Sequence, residues 1–251
     1  MHTGEMRLGE RLLTAVLGVA VFYGAYGVVG AAQVGADLQT LQSPLDRVPL
    51  MPWTVAIYLF LFAQVVAPLA VLTDRGVLRR GLACYALLVL SGAPFWLFFP
   101  VTVPREPVPV HDLWTYGLAV TRFVDPPTNC FPSMHVAESV AAAALIYRHH
   151  RGLGLAWGLG ALAITGSTLA LWQHWVADAA AGAVLGIGVV WLVFKIWPVR
   201  DEAWRPLPLV HNVWPLLFYA LLFMGCAAPW WFGWVGPEDL GAWGAPPPPA
   251  G

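Results

Sequence analysis

Charged side chains are scarce in this sequence. Of 251 residues, 13 are Lys or Arg and 14 are Asp or Glu, 11% in all, against about 25% in a soluble domain. So few charges cannot cover a water-facing surface, which excludes an ordinary soluble enzyme. A formal net charge of −1 removes the electrostatic case for nucleic acid or any other polyanionic partner. The three cysteines, Cys84, Cys130 and Cys226, are odd in number and lack metal-ligand spacing, which excludes a secreted disulfide scaffold. What fills the chain instead is apolar: 59% hydrophobic residues and a mean hydropathy of +0.66. Segments 12–36, 48–73, 81–104 and 152–173 contain no Asp, Glu, Lys or Arg. Each is long enough to cross a hydrocarbon core, which takes about 20 apolar residues as helix. The composition is that of an integral membrane protein.

Hydropathy places seven helices at roughly 11–33, 52–73, 78–100, 132–148, 153–173, 175–196 and 213–235. Unbroken apolar runs of this length favour helices over barrel strands, which alternate in polarity over about ten residues. The expected fold is all-α, a polytopic membrane helix bundle, with one domain over 1–244 and no internal repeat. The tail 245–251 is too proline-rich to pack and is expected to be disordered. The first span has Arg7 and Arg11 before it and small residues after it, as a signal peptide does. Its apolar stretch is longer than a usual signal core, so a retained span is expected.

The basic residues give an orientation. With the N-terminus cytoplasmic, Arg7, Arg11, Arg75, Arg79, Arg80, Arg148, Arg151, Lys195, Arg200 and Arg205 fall inside. Only Arg47, Arg105 and Arg122 fall outside, a strong positive-inside bias. The C-terminus is then extracytoplasmic, beside an interfacial belt of Trp230, Trp231 and Trp234. A plasma-membrane location is expected. Two of the three outer arginines share the loop 101–131, where topology does not require them. That placement reads Arg105 and Arg122 as anion ligands.

Ionisable groups inside or at the ends of spans are costly and default to function. Here they cluster. The loop runs through Asn129-Cys130-Phe131-Pro132-Ser133-Met134-His135 into the fourth span, with Glu138 one turn deeper. The fifth span ends at Trp172-Gln173, and the sixth opens His174-Trp175-Val176-Ala177-Asp178. Alternating topology puts both openings on the same outer face. Pro132 suits the first turn of a helix, and Ser133 with the free amides that follow forms an anion cradle. His174 and Asp178, at i and i+4, share a helix face. The carboxylate can accept the Nδ1–H and aim Nε2 outward as nucleophile or base, while His135 can protonate a leaving oxygen. Together these residues spell phosphoryl transfer: attack by His174, support from Asp178, proton donation by His135. Arg105, Arg122 and Ser133 hold the equatorial oxygens.

At these residues the chain resembles the type 2 phosphatidic acid phosphatase (lipid phosphate phosphatase) superfamily. Its second motif is present as Pro132-Ser133-Met134-His135, and its third as Ser167-Thr168 followed by His174, Asp178 and Gly182. Thr168 stands where most lipid phosphatases carry Arg, and Val103-Pro104-Arg105 replaces the first motif. Both departures resemble the branch containing fungal inositol phosphorylceramide synthase. The resemblance implies a six-helix core, here with one extra C-terminal transmembrane helix, a phosphohistidine intermediate, no metal and no other cofactor. It carries nucleophile onto His174, orienting acid onto Asp178, general acid onto His135 and phosphate contact onto Ser133 and Arg105, with Thr168 in the Arg position. Arg122 rests on topology alone.

Asn129, Gln173 and Glu138 stand around this centre, Glu138 either paired with a loop arginine or tuning His135. Arg148-His149-His150-Arg151 reads as an interfacial anchor, and 111–122 as a short amphipathic interfacial helix. The expected activity is cleavage or transfer of the phosphate, diphosphate or phospho-headgroup of a lipid in the bilayer. Water as acceptor makes a phosphatase, and a lipid or polyol hydroxyl makes a transferase. The rival class is a non-catalytic lipid-phosphate binder or transporter.

Overall fold

The computed structural model describes residues 8–33, 37–72, 74–125, 127–198 and 210–235. The expectations for Arg7, Arg200, Arg205 and the tail 245–251 lie outside the described residues. Eight helices follow in order: α1 (Leu8–Ala32), α2 (Val55–Val71), α3 (Arg75–Phe98), α4 (Leu113–Val124), α5 (Met134–His149), α6 (Arg151–Ala170), α7 (Val176–Ile196) and α8 (Val210–Trp231). Two 3-10 turns, Pro44–Asp46 and Pro52–Thr54, precede α2. An isolated β-bridge joins Gln39 and Val101. All seven expected spans are helical, and the short helix expected over 111–122 is α4.

Six of these helices are long and apolar enough to cross a membrane, which makes the chain a multi-pass membrane protein. The remaining expected span, 132–148, is α5, and it differs in kind. It has 16 residues, about 24 Å at 1.5 Å per residue, short of a hydrocarbon core of about 30 Å. It is packed by α2, α3, α6 and α7, so it does not need a lipid-facing surface. Protein neighbours let it carry His135, Glu138 and Ser139 where a lipid-exposed helix could not. The lipid-facing positions are elsewhere: Leu155, Leu159 and Leu162 on α6, Val184, Ile187 and Trp191 on α7, and Leu216 and Leu221 on α8 are all exposed.

Small residues let α5 sit at the centre. Ala137, Ala141 and Ala142 are fully buried. A Cβ on Gly182 of α7 would run into the Ser133 carbonyl, and one on Gly186 would meet the Ala137 carbonyl. This small-x-x-x-small spacing lets two backbones touch, as in membrane helix pairs. Across the same seam the Ser133 amide donates to the Asp178 carbonyl at 3.0 Å.

Most of the described cations gather at one end of the bundle. Arg11 donates to the carbonyls of Leu69 and Ala70, and Arg75 pairs with Glu10 at 2.8 Å. Arg80 donates to the carbonyls of Trp197 and Pro198, and Arg148 stacks over Phe194. His150 closes α5 and caps α6 by accepting the Leu153 amide at 3.0 Å. The Arg148–Arg151 run is therefore a helix-to-helix corner. The opposite end is covered by segments 37–51 and 99–131.

The seam gives a stability test. Gly182→Val is expected to lower the melting temperature in detergent, through an overpacking cost of about 1–3 kcal/mol, and to abolish turnover. Gly188→Val, on the same helix with nothing within 4 Å of the added carbon, is expected to change neither.

Candidate active site

The covered end of the bundle brings together residues from five parts of the chain. Ser133 is the N-cap of α5 and accepts the Val136 amide on Oγ at 3.4 Å. Pro132 thus precedes the cap rather than opening the helix as expected, because the serine side chain serves the first turn instead. The amides of Met134 and His135, at the positive end of α5, have no partner among the described residues.

His174 lies in the turn before α7, not within the helix. That turn is tight. Trp172 takes φ 57°, a left-handed conformation that costs a bulky residue about 1–3 kcal/mol. Three bonds hold it: the Gln173 amide to the Thr168 carbonyl at 2.8 Å, the Trp172 amide to Leu169 at 3.1 Å, and the Trp172 indole to Val48 at 2.9 Å. The Thr168 hydroxyl itself donates to the Thr165 carbonyl at 2.8 Å, so Thr168 shapes the turn through its backbone.

Asp178, fully buried, accepts the Trp175 amide at 2.8 Å and stands 3.6 Å from His174 Nδ1. At that distance the contact is electrostatic rather than a hydrogen bond. His174 Nε2 faces His135 Nδ1 at 3.0 Å. The other nitrogen of His135 meets the Tyr58 hydroxyl at 2.6 Å and lies 3.5 Å from the Asp125 carboxylate. Tyr58 and Asp125 carried no expectation. Tyr58 looked like one more aromatic in an apolar span, and Asp125 sits in an irregular loop with no spacing to either histidine.

Arg105 donates to the Asp125 carbonyl at 2.6 Å, and Arg122, on the inward face of α4, donates to the Glu106 carbonyl at 2.7 Å. Arg105 Nε and Arg122 Nε and Nη2 are buried with no partner among the described residues. Buried donors of this kind call for an acceptor, and an anion is the natural one. Burial, with Arg105 nearby, brings the Arg122 guanidinium down to about 10, so it stays charged at neutral pH. Asn129, at φ 57°, is held in place by Gln33 and the Tyr26 carbonyl. Gln173 is buried with both side-chain polar atoms unpartnered among the described residues. Glu138 is buried. No hydrogen bond or ion pair joins it to His135 or an arginine among the described residues.

A cavity of about 210 Å³ opens beside His174, with Gln42, Asp46, Val103, Glu106, Trp172 and Trp175 among its walls. Asp46 also accepts the Val176 amide at 2.6 Å, tying segment 37–51 to the start of α7. Among the described residues no three His, Cys, Asp or Glu side chains are grouped to hold a metal ion.

Cys130 borders this centre but is buried, and desolvation pushes its thiol up to about 12. Compared with an ordinary thiol near 8.5, that leaves roughly three orders of magnitude less thiolate at neutral pH. Maleimide at pH 8 is therefore expected to leave Cys130 unlabelled in folded protein and to label it fully in denaturant, as read by peptide mass spectrometry.

No curated protein and no solved structure matches the chain. Residues 81–202, just under half of the chain, are similar to the family model of the PAP2 superfamily, whose members are generally phosphatases or phosphotransferases acting on phosphate-containing substrates.

Proposed function

We propose that this protein is a membrane phosphoesterase that cleaves the phosphate, diphosphate or phospho-headgroup of a lipid through a phosphohistidine on His174. The single observation that carries the reading is the 3.0 Å contact between His174 Nε2 and His135 Nδ1, with a carboxylate behind His174. Attack by His174 Nε2 on phosphorus forms the P–N bond as the P–O bond to the leaving alcohol breaks. His135 Nδ1 gives that oxygen its proton. Water then loses a proton to His135 while its oxygen attacks the phosphohistidine, and the P–N bond breaks to release phosphate and free His174. Asp178 stabilises the charge on the His174 imidazole. Arg105, Arg122, the Ser133 hydroxyl and the two open amides of α5 hold the equatorial oxygens, where charge accumulates. The residues assigned here require no metal or other cofactor. By the positive-inside rule the cationic end faces the cytoplasm and the site faces outward.

One observation favours a second acceptor. The cavity beside His174 has Gln42, Asp46 and Glu106 in its walls, groups that can accept hydrogen bonds from an alcohol. A lipid or polyol hydroxyl in place of water makes the same centre a phosphotransferase, as in the inositol phosphorylceramide synthase branch that Thr168 and Val103-Pro104-Arg105 resemble.

The test is trapping. Purified protein in detergent with EDTA is mixed with radiolabelled lipid phosphates and diphosphates and quenched in alkali. Acid-labile label is expected on wild type and none on His174→Ala, and His135→Ala is expected to slow turnover by about 10²–10⁴. Binding of lipid phosphate with neither label nor turnover would sink the enzyme in favour of a binding protein. Candidate alcohols that divert product from free phosphate to a new ester would establish transfer.

A further inference from the structure

The two histidines have opposite nitrogens backed. In His174, Nδ1 looks toward Asp178 and Nε2 faces His135. In His135, Nε2 meets the Tyr58 hydroxyl and Nδ1 faces His174. The Tyr58 hydroxyl donates to Asp125 Oδ2 at 3.1 Å, and the Tyr26 hydroxyl donates to Oδ1 of the same carboxylate at 3.1 Å. With the Tyr58 proton committed to Asp125, its oxygen can only accept from His135 Nε2–H. With Nε2 holding its own proton, Nδ1 is the nitrogen left to exchange one at the reaction, protonated in the imidazolium that serves as the acid and bare once the leaving oxygen has taken that proton. Arg105 holds the backbone carbonyl of Asp125, so the carboxylate is fixed from both sides.

From this arrangement we propose that Tyr58 and Asp125 are positioning residues for His135, setting its ring orientation and holding a proton on Nε2, so that Nδ1 is the nitrogen that gives and takes the transferred proton. Tyr26 positions Asp125 in turn. Two of these groups come from α1 and α2, outside the segment 81–202 that carries the family match. The proposal rests on His135 being the general acid. The groups that act on His135 are Tyr58 from α2, Arg105 and Asp125 from the covering loop, and His174 before α7; Tyr26 from α1 reaches it only through Asp125. Among the described residues Asp125 is the one carboxylate in direct reach.

The test separates proton donation from folding by the leaving group. An alkyl phosphate needs its leaving oxygen protonated; a nitrophenyl phosphate does not. Single-turnover release of the alcohol is measured with dodecyl phosphate and para-nitrophenyl phosphate for wild type, Tyr58→Phe, Asp125→Asn and His135→Ala. Dodecanol release is expected to fall at least about tenfold in Tyr58→Phe and Asp125→Asn, within the 10²–10⁴ assigned to a general acid. Nitrophenol release is expected to stay within about threefold of wild type. Adding Tyr58→Phe to His135→Ala is expected to cost nothing further, since the two act as one unit. An equal fall with both substrates, or no fall with either, would overturn the proposal. Should Asp125→Asn fail to fold, Tyr58→Phe, which removes one hydroxyl, decides alone. A His135→Ala variant with no leaving-group preference would instead overturn the acid role of His135 itself.

Discussion

The contact of α5 with α7 governs the rest of this structure. At Gly182 and Gly186 the two backbones meet with no side chain between them, and the Ser133 amide reaches the Asp178 carbonyl. A wider separation would move the turn at Trp172 away from the start of α5 and break the contact between His174 and His135. Position at a catalytic centre matters at the scale of about 1 Å, and helices set position better than loops do. The central place of α5 follows from the same contact. Wrapped by four helices, it holds a histidine, a glutamate and a serine that lipid would not tolerate.

Around that seam the charges are arranged in sequence. Asp178 stands behind one imidazole, Asp125 and Tyr58 behind the other, and the two working nitrogens face each other. The two carboxylates behind the imidazoles each accept hydrogen bonds and face a ring nitrogen, which is the condition for keeping charges inside a protein. Arg105 and Arg122 instead keep open donors. In the proposed reaction the substrate supplies the missing acceptors, so the site is electrostatically complete only when an anion is bound.

Much of this was legible in the chain because membranes make sequence unusually explicit. Uncharged runs gave the spans, and ionisable residues at span ends pointed to His135, His174 and Asp178, which the fold brings together. Arg122 could be read from topology alone, since an outer arginine had no other reason to be there. Other features were hidden for physical reasons. Tyr58 has the same apolar body as its neighbours in α2, and only tertiary contact shows where its hydroxyl points. Asp125 acquires meaning from Tyr26 and Tyr58, 99 and 67 residues away. Segment 37–51 has no periodicity, yet Asp46 and Val48 anchor the turn that carries His174. Glu138 was expected to pair with a loop arginine or to tune His135, but helical spacing alone does not show what a side chain meets across the bundle, and no hydrogen bond or ion pair joins it to either among the described residues.

A structure determined experimentally with orthovanadate bound tests the central claim most directly. Vanadate adopts the five-coordinate geometry of phosphoryl transfer. The account predicts that vanadate parts the His174–His135 contact, with vanadium bonded to His174 Nε2, His135 Nδ1 within hydrogen-bonding distance of the apical oxygen opposite, and Arg105 and Arg122 on the equatorial oxygens. Vanadate bonded through any other residue, or bound with the two histidines on the same side of the metal, would contradict it.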